Sequence, residues 1–277
     1  MKKNVIKSIL GFSAVLLFAG TVLSGCGKKD SKELSKKEIT VGVTAGPHQQ
    51  IMEEVAKQAK KDGLKIKIKS FTDYNTPNSA LSSGDLDANS YQTIPFLKDQ
   101  IKNKGYKFDQ AFKTVAYPMG VYSKKIKSLK DLKDGDSIAV PNDASNETRG
   151  LQLFEKAGII KLKKGVGQTA TKKDVVSNPK HLKIIELEAS QLPKQLGEVT
   201  AAAINTNFAM GAGLSINENA IFHEPLKNNP YPNVFVVQSG HKNDAVIKKI
   251  DKYYHSKQTA EFIKKEFKGS VVLSSSK

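Results

Sequence analysis

The chain of 277 residues holds one cysteine, Cys26, five histidines and, among 44 basic side chains, one arginine, Arg149. A lone cysteine cannot close an intrachain disulfide, and its position at the end of an apolar run removes it from redox or nucleophilic chemistry. His48, His181, His223, His241 and His255 stand far apart in dissimilar settings, so no metal site is expected. No Gly-x-Ser-x-Gly elbow, His-Glu-x-x-His pair or Ser-x-x-Lys constellation stands where it could activate a nucleophile, so neither an enzyme nor a cofactor is expected. The lysines, for example Lys57, Lys60, Lys61, Lys65, Lys67 and Lys69, lack the interleaved aromatics that stack on bases, and they read as a solvated face with no nucleic-acid partner.

What is present begins with an export signal. Lys2, Lys3 and Lys7 precede an uncharged run from Ile9 to Leu23, and Leu23-Ser24-Gly25 places small residues directly before Cys26. This pattern reads as a signal peptide over residues 1–25 with Cys26 as the lipid-bearing first residue of the mature chain. An uncleaved membrane anchor is the alternative, and Ser24-Gly25-Cys26 argues against it. The expected location is the extracytoplasmic face of the cell membrane, held by lipid. Residues 26–37 are polar with only Leu34 to bury, which predicts a flexible tether. Loss of residues 1–25 removes three lysines and no acids, lowering the formal charge from +17 to +14, which favours anionic lipid or cell-wall polymer as a neighbour.

The remaining pattern is α/β. Ile39, Val41 and Val43 alternate as in a strand, Pro47 opens a helix carrying Ile51, Val55 and Ala59, Gly63 stops it, and Leu64, Ile66 and Ile68 alternate again. Strands at 137–140, 182–187 and 201–204 precede helices at 145–157, 189–196 and 207–212. A strand at 234–237 precedes one helical tail at 244–267. Mostly parallel sheets are predicted, with no internal repeat.

Four segments where strands hand over to loops carry the candidate ligand groups. Arg149 is the sharpest, because a chain that uses lysine elsewhere keeps its arginine where a planar two-pronged donor is needed. Pro141-Asn142-Asp143-Ala144-Ser145-Asn146-Glu147-Thr148-Arg149 runs from a strand into a helix with Ser145 or Asn146 as cap, which suits capture of a carboxylate. The competing reading pairs Arg149 with Asp143 or Glu147. Tyr74 lies just before a helix opened by Pro77 with Thr76 as cap. Tyr91 and Phe96 line an apolar wall with Asn89 fixing a turn, while Asp85 and Asp87 suit turns better than calcium. Asn205 ends an apolar strand with an amide that can donate and accept.

These motifs, from the Cys26 signal through Gly46-Pro47-His48, Asp87-Ala88-Asn89, Tyr117-Pro118-Met119-Gly120, Ala157-Gly158-Ile159-Ile160 and Glu186-Leu187-Glu188-Ala189 to Ile204-Asn205, resemble the methionine-binding lipoproteins of ABC importers, the NlpA/MetQ family. The resemblance implies a two-lobed periplasmic-binding-protein-like fold of type II with a ligand cleft between the lobes. One lobe would comprise residues 38–116 plus 234–277, the other 117–233, joined by two crossing strands. It also implies that Tyr74, Tyr91, Thr93 and Phe96 surround the ligand side chain and that Asn146, Arg149 and Asn205 hold its backbone. The implied partners are methionine and the permease and ATPase subunits of the importer. Tyr91-Gln92-Thr93 replaces a usual Phe-Gln-His, and Phe96 a frequent tyrosine, so a methionine-containing dipeptide or another small apolar amino acid is the alternative ligand. A structural or adhesive lipoprotein is the alternative of another class.

Overall fold

The computed structural model describes residues 33–276. The expected signal peptide, Cys26 and most of the expected tether lie outside them. The tether's last residues are fixed to the body: the Leu34 N–H donates to Asp244 Oδ2 at 2.9 Å, the Leu34 side chain packs on the core, and the Lys37 carbonyl accepts from Lys65 N. Leu34 is the one apolar residue of that stretch, and its burial is what ends the tether early.

The first lobe opens with β1 (Glu38–Thr44), α1 (Pro47–Lys61), β2 (Lys65–Phe71), α2 (Thr76–Ser83), β3 (Ala88–Thr93), α3 (Ile94–Lys104) and β4 (Phe108–Ala116). The chain then builds β5 (Gly120–Tyr122), β6 (Ser137–Pro141), α4 (Ala144–Lys156), the short pair β7 (Lys161–Leu162) and β8 (Val175–Ser177), β9 (Lys183–Leu187), β10 (Ala201–Ile204), α5 (Thr206–Gly211), α6 (Ile216–Asn219) and β11 (Ala220–His223). It returns through β12 (Pro232–Gln238), α7 (Ala245–Tyr254), α8 (Lys257–Phe267) and β13 (Val272–Leu273).

Two mixed sheets result, ordered β13-β4-β12-β3-β1-β2 and β11-β5-β10-β6-β9. The expectation of mostly parallel sheets holds only at β3-β1-β2 and β10-β6-β9; β12, β4, β13, β5 and β11 pair antiparallel. The reason is topological: β12 re-enters the first sheet between β3 and β4 directly from the second lobe, without the helical crossover a parallel strand requires. Lysines alternate along β2, the edge of the first sheet, with Lys65, Lys67 and Lys69 against inward Ile66 and Ile68, which keeps that edge from pairing with another chain.

Ile51, Met52, Val55 and Ala59 of α1 join α7 and α8 over one face of the first sheet, and Leu81, Leu86 and Leu97 cover the other. In the second lobe Leu151, Leu153 and Phe154 of α4 pack against Val140 and Ala203, while Leu192, Leu196 and Ala209 cover the opposite face. The helix expected at 189–196 is two short 3-10 turns, 189–191 and 194–197, because Pro193 lacks the N–H that would continue the first. The expected C-terminal helix is interrupted at Ser256, which turns extended and caps α8 by accepting from Thr259 N. Asn89 is a buried strand residue of β3 and not a turn former; its amide donates to Asn78 Oδ1 and the Pro77 carbonyl.

The two crossings run together between the lobes. Ala116 pairs with Pro232, and beyond them Glu224 N donates to the Met119 carbonyl while Met119 N donates to Glu224 Oε2, both at 2.9 Å.

Candidate functional site

A small cavity, with about 20 Å³ of space open to the centre of a water molecule, lies between the lobes. Its lining includes all seven expected residues, Tyr74, Tyr91, Thr93, Phe96, Asn146, Arg149 and Asn205. It also includes His48, Gln92, Tyr117 and Asn233, and Asn207, the second amide of the strand end that carries Asn205.

The first lobe supplies an apolar wall. Tyr74, Tyr91 and Phe96 form one buried cluster that also touches Ala189 and Phe208 of the second lobe, so the two lobes close on each other through aromatic contact. Tyr74 lies 4.7 Å from Phe208, centroid to centroid, and 5.9 Å from both Tyr91 and Phe96. The turn before α2 is shaped by Asp73, whose carboxylate accepts from Asn75 N and Thr76 N, so Asn75 occupies the cap position expected for Thr76. Tyr91 is oriented by donating its hydroxyl to the Tyr74 carbonyl at 2.9 Å. Behind it, Gln92 joins Asn78 and Asn89 in a buried amide network that ties β3 to the start of α2. Thr93 Oγ1 accepts from Phe96 N and caps α3, so its hydroxyl serves the helix that carries Phe96.

His48 packs against Tyr117 with the rings tilted by 52° and their centroids 4.4 Å apart. Burial pushes its imidazole down to about 4, which leaves it neutral. Its Nε2 faces Asn233 Oδ1 at 3.3 Å and its Nδ1 faces the Thr44 hydroxyl at 2.8 Å, an arrangement satisfied when Nε2 carries the proton.

The second lobe supplies a chain of amides at the start of α4. Asp143, and not Ser145 or Asn146, is the cap: its Oδ1 accepts from Asn146 N at 3.0 Å, and both its oxygens accept from Asn146 Nδ2. Burial pushes the Asp143 carboxyl up, opposed by these bonds from Asn146. Asn146 Oδ1 in turn accepts from Asn205 Nδ2 at 2.8 Å. Among the described residues, Asn205 Oδ1 and Asn207 Nδ2 are buried polar atoms without a hydrogen-bond partner, and both residues line the cavity. One is an acceptor and the other a donor.

Arg149 does not pair with Asp143 or Glu147. Its Nε and Nη2 grip Glu224 at 2.8 and 2.6 Å, Nη2 also donates to the Tyr117 carbonyl at 2.7 Å, and the guanidinium carbon lies 4.3 Å above the Tyr231 ring. The two-pronged edge expected to meet a ligand carboxylate is thus held by an internal carboxylate. Glu224 is 75 residues away in sequence, on the second crossing, which is why local charge patterning could not reveal it. Burial opposes the charge on Arg149, but Glu224 beside it holds the guanidinium above its usual range; Arg149 and Asn229 likewise hold the buried Glu224 carboxyl below its own. Nη1 is the nitrogen not engaged by Glu224 or Tyr117. Gly150 lets α4 lie close enough to place this group, since a Cβ there would come within 3.0 Å of Val140 Cγ1 and 3.3 Å of Ala203 Cβ.

Residues 39–274 match the model of the NlpA lipoprotein family. The chain belongs to this family. It is 46% identical over 265 residues to the D-methionine-binding lipoprotein MetQ of Salmonella typhimurium, covering 94% of this chain and 96% of that one. It is 42% identical over 260 residues to outer membrane lipoprotein 3 of Mannheimia haemolytica, covering 94% and 96%. A solved nutrient binding protein from Burkholderia cenocepacia bound to methionine superposes with a TM-score of 0.83 at 50% identity, covering 86% of this chain and all of that one. The NlpA chain described here shares the two-lobed solute-binding architecture of these relatives. Among its described residues there is no group of three or more His, Cys, Asp or Glu side chains able to hold a metal ion, and no helix long and apolar enough to cross a membrane.

Proposed function

We propose that this chain captures methionine in the cleft between its lobes and delivers it, unconverted, to the permease and ATPase subunits of an ABC importer. The observation that carries the reading is the complementarity of the cavity to a zwitterion with an apolar side chain. Asn205 Oδ1 offers a buried acceptor for an ammonium, Asn207 Nδ2 and the Nη1 of Arg149 offer donors for a carboxylate, and Tyr74, Tyr91 and Phe96 form the apolar wall. Aromatic contacts suit a thioether, each worth ~0.3–1.5 kcal/mol. The methionine-binding relatives support the same ligand.

In this reading residues 38–116 with 234–277 form one moving body and 117–233 the other, hinged at the paired crossings, and ligand favours closure because its contacts come from both. Residues 1–25 are the export signal, and Cys26 carries the lipid that holds the protein at the extracytoplasmic face of the membrane. Two acyl chains give stable anchoring where one is marginal.

Titration calorimetry of unfolded and refolded protein tests the proposal against L-methionine, D-methionine, other apolar amino acids and methionine-containing dipeptides. One-to-one binding, tightest for methionine and without chemical turnover, is expected. Tighter binding of every dipeptide than of free methionine would move the ligand assignment, and conversion of any ligand would overturn the transport role.

A further inference from the structure

Asn205 presents an oxygen to the cavity, yet an amide can be turned over at almost no steric cost, so the choice of end is made by its neighbours. The neighbour chain begins at Asp143. An ionised carboxylate only accepts, and the three N–H contacts it takes from Asn146, one from the backbone and two from Nδ2 at 2.9 and 3.0 Å, are the geometry of that form. Asn146 must therefore turn its NH2 toward Asp143 and its oxygen away. That oxygen can only be met by a donor, which is Asn205 Nδ2 at 2.8 Å, and Asn205 Oδ1 is left facing the cavity. Both amides are more than nine-tenths buried, so water does not scramble the order.

We infer that Asp143 is a positioning residue that sets the direction of the Asn146 and Asn205 amides and thereby makes the cavity select a ligand with a positively charged amino end. This rests on the amino-acid reading proposed above. The carboxylate touches no ligand; it acts through two amides, and its charge reinforces the acceptor that they present. If the residue at 143 could donate, Asn146 would be free to invert, and Asn205 would turn an NH2 group toward the ammonium.

Asp143→Asn keeps the side-chain volume and a good helix cap while adding that donor. The readout is the ratio of affinities for L-methionine and for its hydroxy acid analogue, in which a hydroxyl replaces the ammonium. A hydroxyl can face either end of Asn205, whereas an ammonium can face only the oxygen. The preference for L-methionine should fall by about tenfold or more in Asp143→Asn. Adding Asn205→Asp to Asp143→Asn moves the carboxylate to the other end of the same chain; an inverted Asn146 donates to it and accepts from the new amide at 143, with the contact to Oδ1 given up, and the preference should return to at least the wild-type level. If Asp143→Asn does not fold, Asp143→Ser, also a good helix cap and able to donate, is read in the same way, and an unchanged preference for L-methionine in it overturns the positioning role.

Equal weakening of both ligands by Asp143→Asn, or failure of the double variant to regain the preference, would overturn the positioning role and leave the methionine reading intact. A wild-type protein that binds neither compound would overturn both.

Discussion

Tyr74 of the first lobe donates its hydroxyl to Asn207 Oδ1 of the second at 2.5 Å, a buried bond between residues 133 positions apart. It fixes which way the Asn207 amide faces and so leaves Nδ2 toward the cavity. One bond at this point both joins the lobes and orients an amide of the site.

Tyr74→Phe removes the donor and leaves a buried acceptor unsatisfied in the closed form, a cost of about 1–3 kcal/mol. Methionine affinity should fall by about fivefold to a hundredfold, with the aromatic wall preserved. Calorimetry reads the affinity, and small-angle scattering of the saturated variant should still give the compact radius of gyration. Unchanged affinity would mean that this bond does not contribute to closure.

Arg149 and Glu224 form a buried pair, with side chains 4% and 3% exposed, so removing one partner strands the other. Arg149→Ala should destabilise the fold by about 3–5 kcal/mol in urea unfolding. Arg149→Met combined with Glu224→Gln should recover much of that stability, because no buried charge remains, yet bind methionine poorly for want of Nη1. Full binding by the stable double variant would show that the arginine serves the hinge alone.

His48 gives the site an acid limit. Its folded value of about 4 lies below the 6.5 usual for histidine, so the unfolded chain takes up the proton first as pH falls. Its contribution is complete above about pH 6.5 and is lost between there and about 4, amounting to roughly 3 kcal/mol. Glu147 acts in the opposite sense: burial pushes it up to about 7 from 4.5, so it adds stability as pH falls through that interval. The comparison is therefore between wild type and His48→Gln in urea at pH 7 and pH 4.5. Wild type should lose more stability than the variant, and identical losses would show that His48 is not held neutral.

Cys26→Ala should leave the protein unattached while its ligand affinity stays the same. Fractionation of cells checks this, and undiminished membrane association of the variant would contradict the lipid assignment.

The sequence disclosed what is written in local periodicity and in single departures from composition. The strands at Ile39, Ser137 and Ala201 and the helices from Pro47 and Ala144 fall within a residue or two of expectation, because alternation and four-residue recurrence are local signals. The lone arginine pointed to the site for the same reason. What escaped depends on distant partners. Nothing near Arg149 announces Glu224, nothing near β3 announces that β12 will insert beside it, and Asn207 matters only because Tyr74 reaches it from the other lobe. His48 and Asn233, 185 residues apart, become a site pair only when β12 returns to the first sheet. The breaks at Pro193 and Ser256 have local chemical causes: one lacks a donor, the other is a natural helix cap.

Native mass spectrometry of the protein purified without denaturation tests the central claim most directly. The expected spectrum shows a one-to-one complex heavier than the mature chain by the mass of methionine, lost on unfolding and regained when methionine is added. A spectrum with no such mass, before or after saturating L- and D-methionine are supplied, would contradict it.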